Sequence, residues 1–256
     1  MTIRAGRTTL SASVPEADGG VRFEPYVMRS GVSVAANLRE ALKTMDIFVN
    51  APKRVRLIVD TPVLMTPVEL FSEESADDFY HHSFPDSEGE VTMHNVIPDL
   101  NAVALFSVNK DLKLVVEDNF SEVRYMSAMI PVWRHLHRRS YTGNRRKLYA
   151  YFHEERMEVF SFQPNRFRFC NSFEVKDSHD ALFFLIYTWR QLQLDTELDE
   201  LHLVGDAPDS EWLTAELRRF LHKVMPINVK ADFNGSPICD VKGMPYDLMT
   251  YYVKRR

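Results

Sequence analysis

From residue 147 onward the chain sets out an order of structural elements that it has already used once, and that repetition limits the fold more than any single motif. Residues 147–152, 157–163 and 166–175 alternate apolar and polar side chains across short turns, the two-residue period of strands. A helical pattern follows at 178–192, with Asp177 or Ser178 as its capping residue. A strand at 200–204, the turn Gly205-Asp206-Ala207-Pro208, an amphipathic helix at 209–224 and a strand at 228–233 complete the series. The first half runs in the same order. Strand patterns at 2–4, 8–14 and 21–28, with Gly19-Gly20 as a turn, precede a helix over 34–48 whose apolar face is Ala35, Leu38, Ala41, Leu42 and Met45. A strand at 54–59 is closed by Asp60 and Pro62. Beyond it lie a helix at 72–82, strands at 91–97 and 103–108, and a helix at 112–120 entered through Asn109. Each half reads as three strands, helix, strand, helix, strand. A repeat at about 140 residues is too long for a solenoid unit and describes a duplicated α/β domain.

The connector between the halves is predicted from the same signals. Val123, Met126, Ile130, Val132, Trp133 and Leu136 have the spacing of a helix over 123–137 interrupted at Pro131, and Ser140, Thr142, Gly143 and Asn144 have the composition of a loop. This predicts a boundary within 141–146, with a first lobe over residues 1–143 that includes the connector and a second over 144–256. A cleft is expected between the lobes, with the connector's basic residues near its hinge.

Charge argues against a general affinity for nucleic acid or anionic lipid, because the net value is −5. The local exception is PVWRHLHRRSYTGNRRK over 131–147, which holds six Arg or Lys, two His and no acid. Arg134, Arg138, Arg139, Arg145, Arg146 and Lys147, with Lys254-Arg255-Arg256 at the C-terminus, form a candidate anion or nucleic-acid surface; a helix packed against acidic surface is the plainer reading. Residues 1–20 lack a continuous apolar run, and no window offers 18 uninterrupted apolar residues, so a cytoplasmic protein without membrane insertion is expected. Cys170 and Cys239 lack CxxC spacing and are expected as buried thiols. The neighbours His81 and His82, and the pair His135 and His137, lack acid or thiol partners at ligand spacing, so no metal is expected. Asp77-Asp78 reads as helix-face charge, and GxSxG, GxxxxGK[ST], GxGxxG and HExxH are absent. The aromatic-rich stretches 160–173 and 183–187 are expected to be core, with Arg166 and Arg168 alternating against Phe167 and Phe169.

The duplicated order resembles the actin-like ATPase superfamily, whose two lobes are ribonuclease H-like folds with mixed sheets flanked by helices and a nucleotide cleft between them. With VRLIVDTPVLMTPVELF over 55–71 followed by a short helix and two strands, it looks most like the cytoplasmic pilus-assembly and secretion branch. More closely still it resembles a Bacteroidetes family of unknown function with this fold. Members that hydrolyse ATP carry Asp-x-Gly with nearby Gly and Thr on the first hairpin of each lobe. There glycine lets backbone amides reach phosphate, and the Asp organises metal and water. Both hairpins here depart from that pattern. Arg4 falls at the Asp position of the first, where Gly6, Thr8 and Thr9 remain; an Arg cannot hold magnesium. Tyr151 and His153 stand at the Asp and Gly positions of the second, and Glu154 and Glu155 tip it. Two carboxylates beside a polyphosphate cost on the order of a kcal/mol each. The adenosine-side Gly-Gly is half kept as Gly205-Asp206. The resemblance therefore implies a non-catalytic pseudo-ATPase that binds another protein, with neither ATP nor magnesium as a cofactor. The alternatives are an ATP-binding switch built on Gly6, Arg7, Thr8, Thr9, Gly205 and Asp206, and an RNA-binding accessory protein that uses the basic connector.

Overall fold

The computed structural model describes residues 1–17, 19–87, 89–142 and 145–253, and its chain divides into two compact units. The first comprises Met1–Trp133 and Gly235–Arg256, the second Arg134–Asn234. The boundary expected between residues 143 and 144 lies outside the described residues. In contrast to the division at that point, the segment Gly235–Arg256 groups with the first unit.

The first unit opens with β1 (Thr2–Ala5), β2 (Leu10–Pro15), β3 (Val21–Tyr26), α1 (Val34–Thr44) and β4 (Arg54–Val59). It continues with β5 (Val63–Pro67), α2 (Ala76–Ser83), β6 (Glu90–Ile97), β7 (Ala102–Asn109), α3 (Lys110–Asn119) and β8 (Glu122–Ser127). The helix α4 (Met129–Ser140) starts in this unit and ends in the second. One mixed sheet has the order β3-β2-β1-β4-β8, its hairpin strands antiparallel and the β1–β4 and β4–β8 pairs parallel. A smaller antiparallel sheet, β5-β7-β6, is inserted between β4 and β8. The cap expected at Asn109 is present, and Ser33, which had no forecast, caps α1. Ser33 accepts a hydrogen bond from the Ala36 amide at 3.2 Å, and Asn109 accepts from Asp111 and Leu112 at 3.0 and 3.1 Å. Leu38, Ala41, Val55 and Leu57 close the core over one sheet face, where a fully enclosed Leu contributes about 1.5–3 kcal/mol.

The second unit repeats the plan. It holds β9 (Lys147–His153), β10 (Arg156–Gln163), β11 (Arg166–Glu174), α5 (Ser178–Gln191), β12 (Glu200–Gly205), α6 (Ser210–Leu217), β13 (Val224–Pro226) and α7 (Val229–Asp232). The sheet order β11-β10-β9-β12-β13 matches the first unit strand for strand, with the same antiparallel hairpins and parallel β9–β12 and β12–β13 pairs. Asp177 caps α5, accepting from His179 at 2.8 Å and Asp180 at 3.0 Å. Every residue of the central strand β9 is buried.

Several elements differ from expectation, among them β5, which had no forecast. The helix predicted over 123–137 is a strand followed by a helix. In β8, Val123 and Tyr125 pack on the core, while Glu122 takes Arg54 at 2.7 Å, a period of two. Pro131 sits in the first turn of α4, where its missing N–H is one that no helical carbonyl would accept. The helix expected to reach 224 stops at Leu217, and Arg218 turns to donate to the Val224 carbonyl at 3.1 Å. The strand expected at 228–233 is the single turn α7, because Asn228 caps it through the Ala231 amide at 3.2 Å. Finally, α8 (Tyr246–Tyr252) has no forecast in the sequence.

That last helix explains an oddity of the first sheet. Ile3, Ala5, Leu10 and Ala12 share one face by register, which leaves Thr2, Arg4, Ser11 and Ser13 on the other. All four polar residues are nevertheless buried. Tyr252 Oη lies 3.0 Å from Ser13 Oγ, the Arg56 guanidinium donates to Tyr251 Oη, and Asp247 reaches Arg4. The C-terminal helix therefore lies over the polar face of β1 and β2.

Candidate functional site

The two β-hairpins that open the sheets are the natural place for chemistry, and they are built differently. In the first, the Gly6 amide donates to the Thr9 carbonyl at 2.8 Å and closes a turn whose Arg7, Thr8 and Thr9 are exposed. Arg4, one strand position inside, is only 3% exposed. Its Nε donates to both carboxylate oxygens of Asp247 at 2.9 and 3.0 Å, and Nη2 donates to Asp247 at 2.8 Å and to Asp60 at 3.0 Å. Its Nη1 donates to Thr9 Oγ1 at 2.6 Å. Asp60, the residue after β4, is fixed by its own amide, which donates to the Ala5 carbonyl at 3.0 Å. The guanidinium fork is thus engaged on three sides by two buried carboxylates and a hydroxyl, the geometry in which Arg binds most strongly. An incoming phosphate would have to displace Asp247 from it.

In the second hairpin, Glu154 and Glu155 form a two-residue turn closed by the His153–Arg156 pair, with φ of 44° and 63°. Two successive left-handed residues make the turn that twists with a hairpin, a turn that usually takes Asn-Gly. Behind it the Tyr151 and His153 rings stack at 4.6 Å, and Glu158 accepts from Ser172 Oγ at 2.9 Å. Gly205 ends β12 beside this hairpin at φ +80°. A Cβ there would stand 2.3 Å from the Phe152 carbonyl oxygen and 3.0 Å from the Tyr151 ring. The glycine answers to that close approach, and the exposed Asp206 follows, its amide donating to the same carbonyl at 3.2 Å. Of the expected nucleotide set, Gly6, Arg7, Thr8 and Thr9 lie on the first unit, and Gly205 and Asp206 on the second.

The basic residues of 134–147 are divided among separate jobs in the second unit. Arg139 pairs with Asp232, whose other oxygen lies 3.1 Å from His135 Nε2, and the His135 ring stacks on Phe233 at 5.2 Å. Burial, with Arg139 and Arg138 close by, pushes the His135 pKa down to about 4, so its imidazole is neutral although it touches a carboxylate. Arg146 pairs with Asp199 at 2.6 Å. Lys147 turns inward and donates to the Arg139 carbonyl at 3.2 Å, the Thr142 hydroxyl at 2.9 Å and the Thr142 carbonyl, an ammonium at the C-terminus of α4. Burial lowers its pKa from the usual lysine value. Arg134 is half-buried, and Arg138 and Arg145 are exposed. Lys254, Arg255 and Arg256 lie outside the described residues.

Sequence reasoning missed the acids that engage these cations: Asp247 and Asp60 for Arg4, Asp232 for Arg139, and Asp199 for Arg146. Only Asp60 carried a signal, as a strand terminator. The expectation that the aromatics of 183–187 are core is corrected for Phe183 and Tyr187, which are 64% and 51% exposed. Cys239 is a half-buried residue, while the Cys170 thiol is enclosed and burial pushes its pKa well up. Among the described residues, no group of three or more His, Cys, Asp or Glu could hold a metal ion, and no helix is long and apolar enough to cross a membrane.

Comparison with known proteins places this geometry. The model of a family described as protein of unknown function, DUF3822, matches residues 1–224. A solved structure from Bacteroides thetaiotaomicron, a protein with actin-like ATPase fold and unknown function, is 26% identical with a TM-score of 0.86, covering 99% of this chain and 95% of that one. The PilM-PilN type IV pilus biogenesis complex matches at 12% identity and TM-score 0.55, over 98% and 96% of the two chains. The cytoplasmic domain of EpsL, an inner-membrane component of the type II secretion system of Vibrio cholerae, matches at 9% identity and TM-score 0.45 over 94% of each. No protein with curated annotation matches. The two matched sheets are those of the actin-like ATPase fold.

Proposed function

Because the chain belongs to DUF3822, a family of proteins of unknown function, and has an actin-like ATPase fold, we propose that it is a pseudo-ATPase that works by binding another protein. The observation that carries this reading is the Arg4 cluster. Where the hydrolysing relatives it resembles need an acid to organise magnesium, this chain has a buried guanidinium held by Asp247 and Asp60. A guanidinium offers no lone pair to a metal ion, and its hydrogen bonds occupy oxygens of both carboxylates beside it. The acid-tipped second hairpin supports the same reading, since Glu154 and Glu155 would raise the cost of placing a polyphosphate beside it. The PilM-PilN structure, a complex of two proteins, supports a protein partner over a small-molecule substrate. The two thiols suit a reducing cytoplasm.

The test is thermal unfolding of the purified chain with and without millimolar ATP and magnesium, together with phosphate release. We expect an unchanged midpoint and no turnover. A ligand present at about a hundred times its Kd stabilises a native state by about 2.7 kcal/mol, several degrees for a chain of this size. A rise of that order would overturn the proposal in favour of an ATP-binding switch.

A further inference from the structure

We propose that the chain self-associates through β11, two copies pairing antiparallel about a two-fold axis near Asn171 and joining their five-stranded sheets into one. Strands at the edge of a sheet expose unpaired backbone donors and acceptors, and proteins blunt them with proline, brevity or cover. The edges of this molecule follow that rule with one exception. β3 carries Pro25, β5 ends in Pro67, and β13 is three residues long and ends in Pro226. β6 and β8 are laced to each other by Asn95, whose amide nitrogen donates to the Tyr125 carbonyl at 3.2 Å and whose oxygen accepts from the Ser127 amide at 3.0 Å. β11 is nine residues long, contains no proline and, among the described residues, pairs with β10 alone; its Ser172 amide donates to Asn171 Oδ1 at 3.0 Å, a contact within the strand that a second copy would replace. Its register slips once, between Ser161 and Phe162 of β10, which leaves Phe169–Glu174 as a regular stretch.

The occupant is argued from the side chains. With Asn171 at the axis, Arg168 of one copy faces Glu174 of the other, and Phe169 faces Phe173, each contact occurring twice. Arg168, Asn171 and Glu174 are exposed. A cation toward one end of the strand and an anion at the other make it complementary to its own antiparallel copy. The aromatic surface extends this edge. Phe173 stacks on Phe184 at 4.6 Å, Phe184 meets Phe183 edge-on at 5.4 Å, and Phe183 stacks on Tyr187 at 6.1 Å. The last two are the exposed rings of α5, so an apolar patch continues from the open strand onto the helix above it, the kind of patch that soluble monomers keep small.

The proposal is tested on the full chain by sedimentation velocity over about a hundred-fold dilution, where we expect a dimer that dissociates on dilution. Arg168→Glu should set like charges opposite each other twice and raise the dissociation constant by about ten-fold, and Glu174→Arg should do the same. The double variant Arg168→Glu plus Glu174→Arg should restore the dimer. Circular dichroism and unfolding midpoints verify that each variant is folded. A wild-type chain that stays monomeric throughout overturns the proposal, as does a dimer indifferent to both single reversals or a folded double variant that fails to recover. None of these results bears on nucleotide binding, so the proposed function stands or falls separately.

Discussion

The opening hairpins of the two units share strand order, strand direction and the parallel strand that follows, yet they are held by opposite means. In the first, the turn spans Gly6 to Thr9 and the stress lies in the interior, where one buried guanidinium is matched to two buried carboxylates. In the second, the stress lies in the backbone of the tip, where Glu154 and Glu155 both adopt positive φ and a glycine is forced at the end of β12. The same fold can therefore stabilise equivalent positions by long-range charge matching or by local conformational restraint.

The largest break in this comparison is expected at Asp247. Asp247→Ala removes the bidentate partner of Arg4 and should cost about 3–5 kcal/mol, because a buried charge loses its strongest contact. Urea unfolding monitored by circular dichroism measures it. Adding Arg4→Met and Asp60→Asn to Asp247→Asn should recover much of the loss, since removing all three charges is far cheaper than leaving one of them buried without a partner. Proteolysis near residues 246–252 should accelerate in the single variant, for the contact is also what holds α8 to the sheet.

Next in size is Gly205→Ala. The added methyl would sit 2.3 Å from a backbone oxygen at a φ of +80°, so neither neighbour nor backbone can yield cheaply. A loss of about 3 kcal/mol is expected in the same denaturant measurement. Replacing Glu154-Glu155 with Asn-Gly should instead raise stability, by about 1 kcal/mol, because both residues leave a conformation that side chains disfavour. A fall in stability would mean that the glutamates make tip contacts stronger than the strain they bear.

How much of this could be read from the sequence follows from the range of each interaction. Leu38 and Ala41 announce α1 by spacing, and Asp177 announces α5 by its position, because both signals lie within a few residues of what they determine. β8 and α4 merged into one expected helix because Val123 and Met126 happen to continue the spacing of Ile130 and Trp133 across a strand end. The helix α8 gave no amphipathic signal, since YDLMTYY buries Tyr246, Asp247, Leu248, Met249 and Thr250 in succession. Nothing local forecasts the burial of Thr2, Arg4, Ser11 and Ser13, for the same reason: the helix that covers them lies at the far end of the chain. Arg4 and Asp247 are 243 positions apart, and no local pattern links a cation to an acid at that distance. The cluster that holds Arg4 in the first hairpin was not legible, because Asp247 comes from the far end of the chain.

The remaining expected effect concerns charge in the second unit, where His135 is held neutral. Its Nε2 lies 3.1 Å from Asp232, a contact that would ordinarily favour imidazolium, but Arg139 already neutralises that carboxylate and the ring is enclosed against Phe233. The folded pKa of about 4 is below the usual histidine value of about 6.5. Between those values the unfolded chain binds a proton that the folded chain does not, so stability falls as pH drops through this window and is fully present above it. Comparing urea midpoints at pH 7 and pH 5 should show a loss on the order of 2 kcal/mol assignable to this residue, and His135→Gln, which cannot titrate, should remove that part of the difference. If the variant keeps the whole pH dependence, the imidazole is charged in the folded state. The Asp232 carboxylate would then be shared by two cations, and the second unit would mirror the first, with a buried acid between two cations in place of a buried cation between two acids.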